Sequence, residues 1–231
     1  MDLLSLAEGL SHSLSQVQSL FWLNVLYQYR REPQEVQERA ERVITLAKTQ
    51  KLPLFVGWGQ CLLGWALAHL GQAKEGSVQI RQGLATYRAT GSAVDQTHLM
   101  ALLAEVYGIM RRREEGLNVV DEAMGLVCTT GEGYYEAELH RIKGELIQLE
   151  DATETVAESC FLRAIEVAQR QQAKSLELRA IMSLCRLWQK QGRHTEALQI
   201  LAEIYHWFTE GFATRDLKEA KALLDELQMS I

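Results

Sequence analysis

Six histidines, His12, His69, His98, His140, His194 and His206, are the side chains of this chain best suited to proton transfer or metal binding. None stands in the His-Glu-X-X-His spacing that sets two imidazoles and a carboxylate on one helix. Glu138 and His140 lie two apart and cannot share a helix face, whereas Glu138 and Arg141 can pair. Glu203 and His206 have the spacing of a proton-transfer pair. No nucleophile or second acid is placed with them, and a structural or solvated pair is the preferred reading. His194 reads as a packing residue beside a turn. No glycine-rich loop ends in Gly-Lys-Ser or Gly-Lys-Thr, so the usual cradle for nucleotide phosphates is missing. The expectation is no catalytic residue, no metal and no cofactor.

The elements that hold these residues are helical. Only Pro33 and Pro53 interrupt segments rich in Leu, Ala, Glu, Gln and Arg, a composition of strong helix formers. The formal net charge of -6 is spread along 231 residues. The one basic cluster, Arg111 to Arg113, falls at a predicted helix end, where positive charge is locally favourable. No basic footprint for nucleic acid results. Cys61, Cys128, Cys160 and Cys185 are widely spaced among apolar residues and read as buried free thiols of a reducing compartment. The opening MDLLSLAEGL lacks a signal-peptide pattern, and no segment reaches the eighteen or so apolar residues of a membrane span. A cytoplasmic chain with no membrane partner is expected.

Periodic apolar positions predict a single helical-repeat domain over 1–231, built of hairpins at about 14–50, 54–89, 94–128, 134–171 and 174–209, with an end helix over 215–228. A short helix over 2–10 precedes them. Ser13 or Ser15 is the candidate cap of the first hairpin, and Thr155 with Glu158 has the spacing of a capping box. Small residues recur with a period near 40: Gly64, Ala104, Gly144 and Cys185 on first helices, and Gly76, Gly116, Ala157 and Ala197 on second helices, with Gly83 a further small position. Helix axes approach to about 8–10 Å only where bulky side chains are absent. Gly64, Ala104 and Gly144 are therefore expected to face Gly76, Gly116 and Ala157.

The pattern Leu63-Gly64, Leu67, Gly71, Gly76, Ile80, Gly83-Leu84 resembles a tetratricopeptide hairpin with alanines reduced to glycine. It returns at Leu103-Ala104, Tyr107, Gly116, Val120 and Ala123, at Gly144, Ile147, Ala157, Phe161 and Ala164, and at Leu184-Cys185, Trp188, Gly192, Ala197, Leu201 and Ile204. The period exceeds the 34 residues of ordinary tetratricopeptide repeats, as in bacterial regulator and kinesin light chain solenoids. The segments VGWGQCLLGWALAHLGQ, YYEAELHRIKGELIQLE, CFLRAIEVAQRQQAKSLELRAIMSLCRLWQKQGR and IYHWFTEGFATRDLKEAKALLDEL look like the carboxy-terminal helical region of bacterial signalling ATPases of the adenylate/guanylate cyclase-associated type. This resemblance implies an all-α, right-handed superhelix serving as a noncatalytic protein-interaction or regulatory arm. The cyclase and ATPase chemistry would reside elsewhere, and the paired metal-binding aspartates of such cyclases have no counterpart here.

In that geometry first helices line a concave groove. The implied binding candidates are Phe21, Val25, Trp58 and Trp65 upstream, then His98, Glu105, Glu138, Arg141, Glu145, Arg179, Arg186 and Gln189. Trp58 and Trp65, seven apart, fit either groove anchors or packing between hairpins. Trp22, Trp188 and Trp207 read as core. A protein or peptide partner, including upstream domains of the same polypeptide, is expected, with self-association through the first residues. The alternative is a small-ligand sensor closing its aromatic half around a metabolite.

Overall fold

The computed structural model describes residues 13–150 and 154–230. The expected helix over 2–10 lies outside the described residues, as do Leu3, Leu6 and Leu10. Every regular element among the described residues is an α-helix: α1 (Ser13–Tyr29), α2 (Pro33–Thr49), α3 (Pro53–His69), α4 (Ala73–Arg88), α5 (Gln96–Ile109), α6 (Arg113–Thr130), α7 (Glu136–Ile147), α8 (Glu154–Arg170), α9 (Lys174–Lys190), α10 (His194–Trp207) and α11 (Arg215–Met229). None is long and apolar enough to cross a membrane. The chain divides into two compact units, Met1–Arg112 and Arg113–Ile231.

Local sequence sets the helix ends. Pro33 and Pro53 occupy the first helical turn, where a missing N–H costs nothing and the fixed φ is already helical. Six turns share a hydrogen-bond pattern in which the N–H three residues past the last helical residue reaches back five residues. Glu32 donates to Tyr27, Leu52 to Ala47, Gln72 to Leu67, Arg112 to Tyr107, Ala173 to Ala168 and Arg193 to Trp188, at 2.8–3.1 Å. This Schellman closure satisfies carbonyls that the helix leaves open. Thr155 lies inside α8 rather than ahead of it, so it does not cap that helix.

In the first unit, α1, α3 and α5 are successive neighbours, and α2 and α4 pack beside them. Val36, Ala40, Val43, Ile44 and Ala47 turn inward from α2 as the periodicity requires. The tightest crossing joins α3 to α4. A Cβ on Gly64 would lie 2.5 Å from the Gly76 carbonyl oxygen, and one on Gly83 would lie 2.6 Å from that of Gly57. Two glycine pairs seven residues apart thus let the backbones touch.

In the second unit, α7, α9 and α11 are successive neighbours, with α8 and α10 against them. Its core joins Phe161, Ile181, Leu184, Trp188, Leu201 and Ile204 to Leu217, Ala220, Leu223, Leu224 and Leu227 of α11. Ala157, Cys185 and Ala197 are buried, as is Ala104 in the first unit. Two expected pairings are corrected. Gly144 meets Phe161, whose Cδ1 would lie 2.8 Å from an added Cβ, and Gly116 meets Leu146 at 2.7 Å. At these positions a glycine receives a large side chain of the neighbouring helix, not a second small residue.

Three further expectations change. Trp22 and Trp207 are 62% and 57% exposed, the second with Lys174 Nζ of α9 over its ring at 5.7 Å. Cys128 is exposed and Cys160 half-buried, leaving Cys61 and Cys185 as the buried free thiols. Burial in an apolar crossing drives the Cys61 thiol far above its ordinary range and pushes that of Cys185 up to about 12.

Candidate functional site

The upstream candidates are enclosed by one another. Phe21 packs edge-on against Trp58 at 5.0 Å and Phe55 at 5.5 Å. Trp58 in turn meets His98 at 5.3 Å and Tyr87 at 6.4 Å. His98 is buried and its Nε2 lies 3.1 Å from Gln28 Oε1. Val25 is also buried, and Trp58 and Trp65 are 3% and 1% exposed. Glu105 reaches back across one repeat to accept the Trp65 indole N–H at 2.8 Å, while its other oxygen lies 3.3 Å from His69 Nε2. Phe21, Trp58 and Trp65, with His98 and Glu105, thereby connect α1, α3 and α5 of the first unit.

Downstream, equivalent positions carry charge, and the first helices are joined by an ion-pair chain. Arg141 of α7 donates to Glu138 at 2.6 Å and pairs with Glu145. Glu145 also accepts from Ser183 of α9 at 2.9 Å. Arg179 of α9 donates from Nε to Asp216 of α11 at 2.7 Å and lies 3.9 Å from Glu138. Glu138, Arg141, Arg179 and Asp216 are all buried. Burial opposes the Arg179 charge, but Asp216 and Glu138 outweigh it and hold the guanidinium firmly protonated. One oxygen of Glu138 takes no hydrogen bond among the described residues. Removing one partner from such a chain leaves a buried charge uncompensated, at a cost of about 3–5 kcal/mol.

Glu145, Arg186 and Gln189 remain accessible among the downstream candidates, with the Glu145 and Arg186 side chains 43% and 47% exposed. Arg186 and Gln189 line a cleft of about 430 Å³ between α9 and α11, shared with Lys190, Glu219, Ala222, Leu223 and Glu226. Arg186 lies 3.4 Å from Glu219, which Arg215 also holds at 2.7 Å. The α9 wall is therefore cationic and the α11 wall acidic. Lys190 was absent from the sequence-derived candidates because it closes α9, and Glu219 and Glu226 because α11 reads only as an end helix. Their signal is present in its spacing: residues 215, 219, 222 and 226 fall on one helix face.

No group of three His, Cys, Asp or Glu side chains able to hold a metal gathers among the described residues. Glu203 and His206 sit in the last two turns of α10. The ion-pair chain and the cleft offer charge and hydrogen-bond recognition.

No protein-family model matches the chain. An uncharacterized protein of Rhizobium meliloti (strain 1021) is 28% identical over 182 residues, covering 79% of this chain and 18% of that protein. The chain thus spans less than a fifth of the length of this curated relative. Among solved structures, a Rap protein complexed with competence and sporulation factor superposes with a TM-score of 0.74 at 13% identity, covering 98% of this chain and 68% of that one. A kinesin light chain from Podosopora anserina with nearly identical TPR-like repeats gives 0.54 at 16% identity, covering 92% and 97%. The fold is accordingly all-α and tetratricopeptide-like. The signalling-ATPase part of the resemblance rests on the sequence segments alone.

Proposed function

We propose that this chain is a noncatalytic protein-interaction module, serving as a regulatory arm within a longer signalling polypeptide, and that its contact surface is the cleft between α9 and α11. The observation carrying this reading is that cleft's two oppositely charged walls, with Arg186, Gln189 and Lys190 facing Glu219 and Glu226. A protein or peptide segment of mixed charge fits them. Exposed charges of this kind select partners and set association rates more than they add affinity. The tetratricopeptide-like fold supports the reading, as does the greater length of the curated relative. Trp58 and Trp65, the anchors that a small-ligand sensor would need, are already packed against protein.

The test is affinity capture from a bacterial lysate, including the remaining domains of a longer polypeptide where they are encoded. Arg186→Glu with Lys190→Glu should lose the captured partner. Glu166→Lys with Gln199→Glu, on α8 and α10, should retain it. Arg141 and Arg179 are unsuitable reporters because reversing a buried ion pair tests folding. Retention by the α9 variant with loss by the outer-helix variant would place binding elsewhere.

A further inference from the structure

The α9 wall of the cleft carries more positive charge than its neighbours neutralise. Arg186 has one ion-pair partner among the described residues, Glu219 at 3.4 Å, which leaves most of its N–H donors open. Glu219 is the better satisfied of the two, because Arg215, four residues before it on α11, holds it at 2.7 Å. Lys190 and Gln189 lie on the same wall as Arg186, and neither side chain has a hydrogen-bond or ion-pair partner among the described residues. Arg186 and Lys190 stand one turn apart on α9, where like charges repel. On the opposite wall the exposed Glu226 carboxylate is also without a partner among the described residues.

We infer that the partner presents a single acidic side chain to Arg186 and Lys190, and that Glu219 is the internal group this side chain displaces. The inference rests on the cleft being the contact surface. A carboxylate has two oxygens, so it can take a donor from each cation, and bridging them removes their repulsion. The Gln189 amide adds a neutral donor on the same wall. Glu219 loses little when Arg186 turns away, because Arg215 keeps hold of it on α11. It therefore sets a threshold: a neutral or basic group offers Arg186 nothing that Glu219 does not already supply. Across the cleft, Glu226 repels a second carboxylate and accepts a basic group. The site thus selects one acidic residue in a mixed sequence and disfavours an acidic run.

Selection from a random peptide library on the whole 231-residue chain, followed by fluorescence anisotropy of the enriched peptides, tests the assignment. The peptides should share one Asp or Glu without acidic neighbours, and alanine at that place should abolish binding. Arg186→Glu should lose them. Glu219→Gln should bind them about twofold to fivefold more tightly, the range that one competing exposed ion pair spans. In an Arg186→Gln background, Glu219→Gln should leave affinity unchanged, because no contact remains to be displaced; this cycle separates displacement from a general change of field. Peptides that need Arg186 but share no acidic residue overturn the inference and leave the cleft as the contact surface. So does a Glu219→Gln variant with no gain, or with an equal gain in both backgrounds. Peptides indifferent to Arg186→Glu, or no enriched peptides at all, overturn it as well. The broader reading falls only if the partner captured from lysate is also retained by Arg186→Glu with Lys190→Glu.

Discussion

Gly64 and Gly125 are both helical glycines, yet substitution should move stability in opposite directions. A Cβ on Gly64 meets the Gly76 carbonyl and Ile80, whereas one on Gly125 meets nothing within 4 Å. Gly64→Ala should therefore cost roughly 1–3 kcal/mol through overpacking. Gly125→Ala should gain up to about 1 kcal/mol through helix propensity. Urea midpoints that move in the same direction would refute this account of the α3–α4 crossing. Thiol labelling gives an independent check, because thiolate fraction and access govern reactivity. Cys128 is exposed and should react first. Half-buried Cys160, its pKa raised by desolvation, should follow. Cys61 and Cys185 should wait for unfolding, and early labelling of either would contradict their placement. The recurrence of small residues was legible in the sequence, but their partners were less so. Gly57 went unnoticed, and Gly144 accommodates the Phe161 ring, because a one-dimensional period locates a crossing without saying which side chain fills it. The tryptophans show the same limit. Trp22 and Trp58 both sit in apolar helical patterns, and only the neighbouring helices decide that the first is open and the second enclosed.

At the scale of elements, local signals were legible where residue types fix the backbone, as at Pro33 and Pro53, which open α2 and α3. The turns hold a regularity that residue types conceal. Left-handed conformations occur at Arg31, Gly71, Arg111 and Gly192 within repeats, and at Lys51, Gly91, Gly131, Gln172 and Gly211 between them. Arginine, lysine and glutamine occupy the same backbone state as glycine at four of these sites, so a search for glycine alone misses them. A side chain in this region costs about 1–2 kcal/mol. Lys51, at φ 55°, is exposed and therefore a clean site for relief. Lys51→Gly should raise stability by about 0.5–1 kcal/mol after allowing for glycine's greater unfolded-state entropy. Gly71→Ala, at φ 93°, should lower it by about 1 kcal/mol. The check is the urea midpoint at constant slope. A lower midpoint for Lys51→Gly would show that its turn is not limited by backbone strain.

Across the whole molecule, tetratricopeptide-like architecture was legible because four repeats kept their small and apolar positions in register. The division into two compact units was not, since the period runs through residues 112 and 113 without a break. The candidate surface was legible only in part. Helical spacing put Glu138, Arg141 and Arg179 on first helices, but it held no sign that Asp216 would complete a buried ion-pair chain with them. Arg186 and Gln189 kept the accessibility that binding needs, and α11 supplied the opposing wall of their cleft. Hydrogen exchange of the chain with and without its captured partner tests this assignment most directly, because protection reports the contacted segment without any substitution. The account predicts slowed exchange confined to residues 186–190 of α9 and 219–226 of α11. Protection confined to α8 and α10, with no change in α9 or α11, would contradict it.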